Sequence, residues 1–238
     1  MKHPGRILPF AATALLLTIT TYCFARAGGG GGLGVVAGGG ILTTILAIII
    51  APFFIIYTII LSILLRRKEN KVRKLTEKLV KADKMWNYRD MVATVEQVFF
   101  KVQKAWMERN QDLAREVMSD RIYQKHKFQT DEMIANGTKN MLRDINLTEI
   151  LIISLEDYKD NSEDTFSAYV AGSMIDYTAN AKTLSPISGD PTQPENFQEI
   201  WTFVRDNNKW VLDEIDQEAS LGDISRGIAF REVNRGPV

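Results

Sequence analysis

The stretch IWTFVRDNNKWVLDEI, residues 200–215, decides the fold. Two apolar runs, Ile200 to Val204 and Trp210 to Ile215, flank Asp206-Asn207-Asn208. Asn and Asp accept the backbone of a tight turn, so the stretch predicts a β-hairpin. Upstream, Phe166 to Tyr177 reads as a long strand with a break expected at Gly172. Ile145, Leu147, Leu151, Ile153 and Leu155 fall on alternate positions, with Glu149 the exception, and predict a further strand. Lys182 to Asn196 holds three of the seven prolines and reads as a loop.

The residues before the strands are helical in pattern. Val92, Val95, Phe99, Val102 and Trp106 line one face, too large an apolar load to leave in water. Gln111 to Met118 predicts a second, shorter helix. Ser119-Asp120 offers an N-cap for a third, running through Tyr123, Phe128 and Met133 towards Asn136-Gly137. Helices first and an antiparallel meander after them make an α+β domain, with the helices packed on one sheet face. Its expected span is 87–220, followed by a tail at 221–238.

The N-terminal third belongs to a membrane. Lys2 and Arg6 precede an apolar run from Ile7 to Phe24, and Ala25-Arg26-Ala27 supplies a small-x-small cleavage pattern. Residues 1–27 therefore read as a signal peptide, or as a first transmembrane helix if uncleaved. Tyr22 stands where a lipoprotein signal needs a small residue, so Cys23, the one cysteine, is not read as a lipid anchor. Residues 28–40 carry nine of the sixteen glycines and form a linker. Within it, Gly32-x-Gly34-x-x-Ala37 lacks the strand and soluble helix that a dinucleotide site needs. Ile41 to Leu65 contains no charge, only Thr43, Thr44, Pro52, Thr58 and Ser62 among its apolar residues. At about 1.5 Å per residue it is long enough to cross a hydrocarbon core of about 30 Å.

The zero net charge is a sum of unlike parts. Residues 1–65 carry three basic side chains and no acid, residues 66–84 nine basic against three acidic, and residues 85–238 seventeen against twenty-six. The basic flank after the span predicts, by the positive-inside rule, a C-terminal domain in the cytoplasm for either fate of the signal. Residues 66–86 predict a basic juxtamembrane helix with an apolar stripe at Leu75, Leu79, Ala82 and Trp86. Arg66, Arg67, Lys68, Lys71, Lys74, Lys78 and Lys81 are its candidates for contact with the bilayer and with anionic lipid. The acidic balance beyond the stem disfavours nucleic acid as a partner.

The order of elements, with Gln103-x-x-Trp106, Asp112 and the closing pair Trp201-x-Phe203-x-Arg205 and Trp210-x-Leu212-x-x-Ile215, resembles a known family. It is similar to the C-terminal domain of the mitochondrial inner-membrane import translocase subunit 44 and its bacterial relatives, in the nuclear-transport-factor-2-like superfamily. The resemblance covers roughly residues 85–220, and the run of signal, glycine linker, span and domain matches the bacterial relatives. It implies a cone-shaped fold, a curved antiparallel sheet partly wrapped around an apolar pocket. It further implies a non-enzymatic scaffold or tether for other membrane or peripheral proteins, at the cytoplasmic face of a bacterial inner membrane. The mitochondrial member's chaperone-binding segment has no counterpart here.

Chemistry is sparse. His126, in Tyr123-x-x-His126-Lys127, is the only histidine beyond His3, and its polar neighbours predict a solvated or capping role. Asp213 and Asp216 are separated by three, which places them on opposite faces of a regular strand and predicts surface acids. No metal-ligand spacing, phosphate loop or activated nucleophile occurs, so no cofactor, metal or catalytic residue is expected. The alternative, a pocket enzyme on the same fold acting on a small apolar substrate, would rest on His126, Asp213 and Asp216. Phe99, Phe100, Trp106, Tyr169, Trp201, Phe203 and Trp210 favour a core. Where the cone is open, Phe99, Trp106, Tyr169, Trp201, Phe203 and Trp210 are the candidates to line a pocket for a lipid tail or apolar peptide.

Overall fold

In a computed structural model of the chain, residues 41–217 and 230–233 are described. The expected signal peptide and glycine linker lie outside them, as does most of the tail. Three helices, α1 (Ile41–Leu79), α2 (Tyr88–Glu108) and α3 (Asp120–Ala135), precede six strands. These are β1 (Thr138–Tyr158), β2 (Thr165–Asn180), β3 (Pro186–Ser188), β4 (Glu195–Asp206), β5 (Lys209–Asp216) and β6 (Phe230–Val233). The sheet order is β5-β4-β2-β1-β6, with β3 beside the end of β2. Every pairing is antiparallel except β1 with β6. The fold is α+β, helices packed against an open antiparallel sheet, as the alternation of residues 200–215 predicts.

Local chemistry explains the boundaries. Asn87 accepts hydrogen bonds from the amides of Arg89 and Asp90 to start α2, and Arg109 in the left-handed region (φ 52°) ends it. Ser119 caps α3 as expected by accepting from the Ile122 amide. In the β4–β5 turn, Asn207 and Asn208 both take positive φ, 47° and 59°, the backbone that a two-residue hairpin requires.

Several expectations are corrected. Gln111–Val117 is a 3₁₀ segment rather than an α-helix. The basic stem is the continuation of the apolar helix through Leu79, not a helix to Trp86; a turn and a 3₁₀ segment at Lys84–Trp86 follow. The predicted loop 182–196 contains β3 and the start of β4, and Phe230–Val233 in the tail joins β1. Helices cover both faces of the sheet, not one. The core on the inner face holds Phe99, Val102, Phe166, Phe197, Trp201, Phe203, Trp210 and Leu212. On the outer face, Leu61 and Leu65 of α1 close over Leu151, Ile153, Tyr169 and Ala171.

β2 runs unbroken through Gly172, also against expectation. Three register shifts in β1, between Arg143 and Asn146, Leu147 and Glu149, and Ile152 and Ser154, bend that strand instead. Gly172 permits the close approach at the bend. A Cβ there would lie 2.4 Å from the Asn146 carbonyl oxygen and 2.9 Å from the Phe197 ring. Gly172→Ala is expected to lower unfolding stability by about 2 kcal/mol, because the backbone of β1 must move to admit the methyl. Chemical denaturation of the purified protein measures this.

Candidate functional site

The joint between the apolar helix and the domain carries a dense polar network. Leu65, Glu69, Val72 and Thr76 on α1 are all buried. Their i, i+4, i+7, i+11 spacing makes one stripe along the helix. This replaces the expected stripe at Leu75, Leu79, Ala82 and Trp86: Leu75 and Leu79 are half-buried, Ala82 is exposed, and Trp86 is buried beyond the helix. A carboxylate and a hydroxyl inside the seat hid it from an apolar count.

Glu69 is 5% exposed. It accepts hydrogen bonds from Arg66 Nη1 at 3.0 Å, Arg73 Nη2 at 2.8 Å and the Tyr88 hydroxyl at 3.1 Å. Burial opposes its charge, but the donors Arg73, Arg66 and Tyr88 outweigh burial and hold the carboxyl below its ordinary range. Arg73 also lies 4.2 Å from the centre of the Tyr88 ring, and Arg66 reaches on to Glu149 of β1.

A second clasp pins the end of the stem. Arg205 of β4 donates to Asp83, just after α1, to Asp164 in the β1–β2 connection, and to Asn208 in the hairpin turn. Asp164 is fully buried and accepts from the Tyr158 amide as well. Trp210 Nε1 donates to the Met85 carbonyl, and its ring packs on Trp86 at 5.0 Å.

The predicted pocket aromatics do not gather in one place. Phe99, Trp201, Phe203 and Trp210 belong to the inner core, with Phe99 stacked on Phe197 at 5.7 Å and tilted against Trp201 at 5.3 Å. Phe100 is exposed and meets Phe99 edge-on. Trp106 packs instead against His126 of α3. Tyr169 lies on the outer face under Leu61 and Leu65, where burial pushes its hydroxyl up to about 12. The stem cations separate as well. Arg66 is engaged by Glu69 and Glu149, and Lys68 is half-buried. Arg67, Lys71, Lys74, Lys78 and, beyond the helix, Lys81 are exposed.

His126 is not solvated. It is 1% exposed, in line with Ile122 and Thr130 on the buried face of α3, its ring 5.4 Å from that of Trp106. Its Nδ1 and Trp106 Nε1 have no hydrogen-bond partner among the described residues. Asp213 is a brace for α3, accepting from Ser119 Oγ at 2.6 Å and from Arg121. Asp216 is exposed and pairs with Ile200 further along β5. Sequence reading missed Glu199, a buried carboxylate on β4 that accepts from Trp201 Nε1 at 2.8 Å and Gln217 Nε2 at 3.2 Å. Among the described residues no group of three or more His, Cys, Asp or Glu side chains could hold a metal ion.

Two outcomes follow from these geometries. Glu69→Ala leaves Arg66 and Arg73 without their shared acceptor and is expected to cost about 2 kcal/mol in unfolding stability, less than a fully buried pair because both arginines reach solvent. Thermal unfolding in detergent reads it. For His126, burial, with Lys125 adding to it, lowers the folded-state pKa from 6.5 to about 4. The unfolded chain therefore binds the proton first as pH falls. Stability is full above about pH 6.5 and declines towards pH 4 by up to about 3 kcal/mol. His126→Leu should flatten that limb of the stability profile.

A family profile described as the Tim44-like domain matches residues 72–217, from the middle of the stem to the end of β5. No curated protein matches the chain. Among solved structures, it is similar to the intermembrane space region of the chloroplast protein ARC6, at 14% identity over 54% of this chain and 97% of that one. The TM-score there is 0.40, too loose a likeness to argue from. The helices, the open sheet and the matched span together mean that this chain belongs to the Tim44-like domain family, a family of membrane-associated binding and scaffold domains.

Proposed function

We propose that the protein is a membrane-anchored scaffold that holds its Tim44-like domain against the cytoplasmic face of a bacterial inner membrane and tethers other proteins there. One observation carries the reading: α1 is a single helix from the apolar run to Leu79, and the domain is built onto it. Among the described residues α1 is the one helix long and apolar enough to cross a membrane. From Ile49 to Ile60 the large apolar side chains Ile49, Ile50, Phe53, Ile55, Ile56, Ile59 and Ile60 are exposed, as a lipid-facing surface would be. Burial against the sheet begins at Leu61. Ile41 to Ile60 alone gives about 30 Å of helix, the thickness of a hydrocarbon core.

On this reading Arg66, Arg67 and Lys68 begin about 9 Å, under two turns, beyond Ile60, at headgroup level. Anionic lipid there would add to the anchoring, each cation contributing about 1 kcal/mol. The domain cannot swing freely from such an anchor, because Glu69 and the leucines before it fix their angle. A rigid mount suits a scaffold, since partners meet a surface presented at a set height and orientation.

The orientation is testable with the chain's single cysteine removed. In a Cys23→Ser background, Asn136→Cys at the exposed end of α3 is expected to react with a membrane-impermeant maleimide only after spheroplasts are opened. Labelling of intact spheroplasts would place the domain outside and overturn the cytoplasmic assignment.

A further inference from the structure

We infer that the outward face of the stem is a docking rail for an acidic segment of another protein. This rests on the tether reading and names the chemistry of its partner. Arg67, Lys71, Lys74 and Lys78 recur at i, i+4, i+7 and i+11. That is the spacing of the buried stripe Leu65, Glu69, Val72 and Thr76, offset by two residues. At roughly 100° per residue the offset sets the two stripes on opposite sides of α1. The four cations are exposed, and none forms an ion pair among the described residues. Arg66 and Arg73, by contrast, are turned back onto Glu69.

The rail faces away from its own domain, and beyond Arg67 it stands clear of its own bilayer. Because α1 is continuous, the stem extends the axis of the span instead of lying along the membrane surface. Lys71 stands about 9 Å and Lys78 about 20 Å past Leu65 at about 1.5 Å per residue. Even a tilt of about 40° leaves Lys78 roughly 15 Å out. Salt screens charge over about 8 Å under physiological conditions, so the far half of the rail is beyond the reach of headgroups. Laying the stem flat would pull Leu65, Glu69, Val72 and Thr76 out of their seat.

Charge selects the occupant. Neighbouring cations at i, i+3 and i, i+4 oppose one another in the free helix, and a row of carboxylates with the same spacing would relieve them. Arg67 to Lys78 spans about 16 Å, room for three turns of an acidic helix. Residues 85–238 carry seventeen basic and twenty-six acidic side chains, so an acidic segment is repelled by the domain body and steered to the stem. The same excess sets two copies of the chain against each other, which favours a different protein over self-association.

The test uses the full chain in nanodiscs of phosphatidylcholine, with a fluorescent, helical Glu-Ala peptide of about three turns as the probe. Anisotropy is expected to report salt-sensitive binding, roughly tenfold weaker for R67Q/K71Q/K74Q/K78Q. The control K104Q/K125Q/K159Q/K182Q removes the same charge from exposed sites elsewhere and should bind as the parent does. Nanodiscs containing about a third phosphatidylglycerol should weaken the parent's binding by no more than about twofold, since only Arg67 of the four lies at headgroup level. Equal losses in the two variants would reduce the effect to net charge and overturn the rail. Binding abolished by phosphatidylglycerol would mean that the stripe lies on its own membrane, and no binding by the parent would also overturn it. Outward labelling of Asn136→Cys defeats the tether reading instead, whatever the peptide does.

Discussion

A carboxylate can leave water only if its charge is matched where it goes. Glu69 meets that condition about three-quarters of the way along a helix that begins in an apolar run and ends against the folded domain. Arg66 and Arg73, one turn to either side, and Tyr88 at the start of α2 supply the match. Tyr88 of α2 and, through Arg66, Glu149 of β1 tie this cluster to the domain and hold the stem in one rotation on its seat. The leucines before Glu69 then meet the outer face, Val72 joins the inner core, and the cations two residues out of phase are left facing away.

The sheet is shaped to receive that helix. Bulges bend β1, and Gly172 lets β2 pass close to the Asn146 carbonyl and the Phe197 ring. The inner face is filled by aromatic side chains from α2, β2, β4 and β5, so the large apolar residues contribute packing before anything else. Arg205 draws three separate turns together at the hairpin end of the sheet. The stem of α1, the sheet and the hairpin are thus joined by the same set of buried contacts.

Parts of this were legible from residue order. The Asn-Asn turn appears as read, because both asparagines can adopt the left-handed backbone, and Trp201, Phe203, Trp210 and Leu212 point inward as their alternation requires. Ser119 caps α3 for an equally local reason. The stem seat was not legible. Its stripe contains Glu69 and Thr76, whose polar partners Arg66 and Arg73 are local, but the sheet and Tyr88 that cover that side come from distant parts of the chain. His126 was misread for the same reason: Lys125 and Lys127 beside it are exposed, while the ring itself turns towards Trp106. Glu199 carries no local mark of burial; Trp201 Nε1 and Gln217 donate to it only in the folded chain.

Sequence alone determined the properties set by neighbours and by averages: the apolar run, the division of charge, the α+β order, the hairpin and the family likeness. These depend on local backbone preference and on transfer free energy summed over a segment, both of which are properties of short stretches. Only the tertiary structure decided which side of the stem is buried, that helices cover both faces of the sheet, and which charged groups are paired. Those outcomes depend on groups brought together from β1, β4 and the start of α2, and the free energy of a buried charge is a property of its partners, not of its position in the chain.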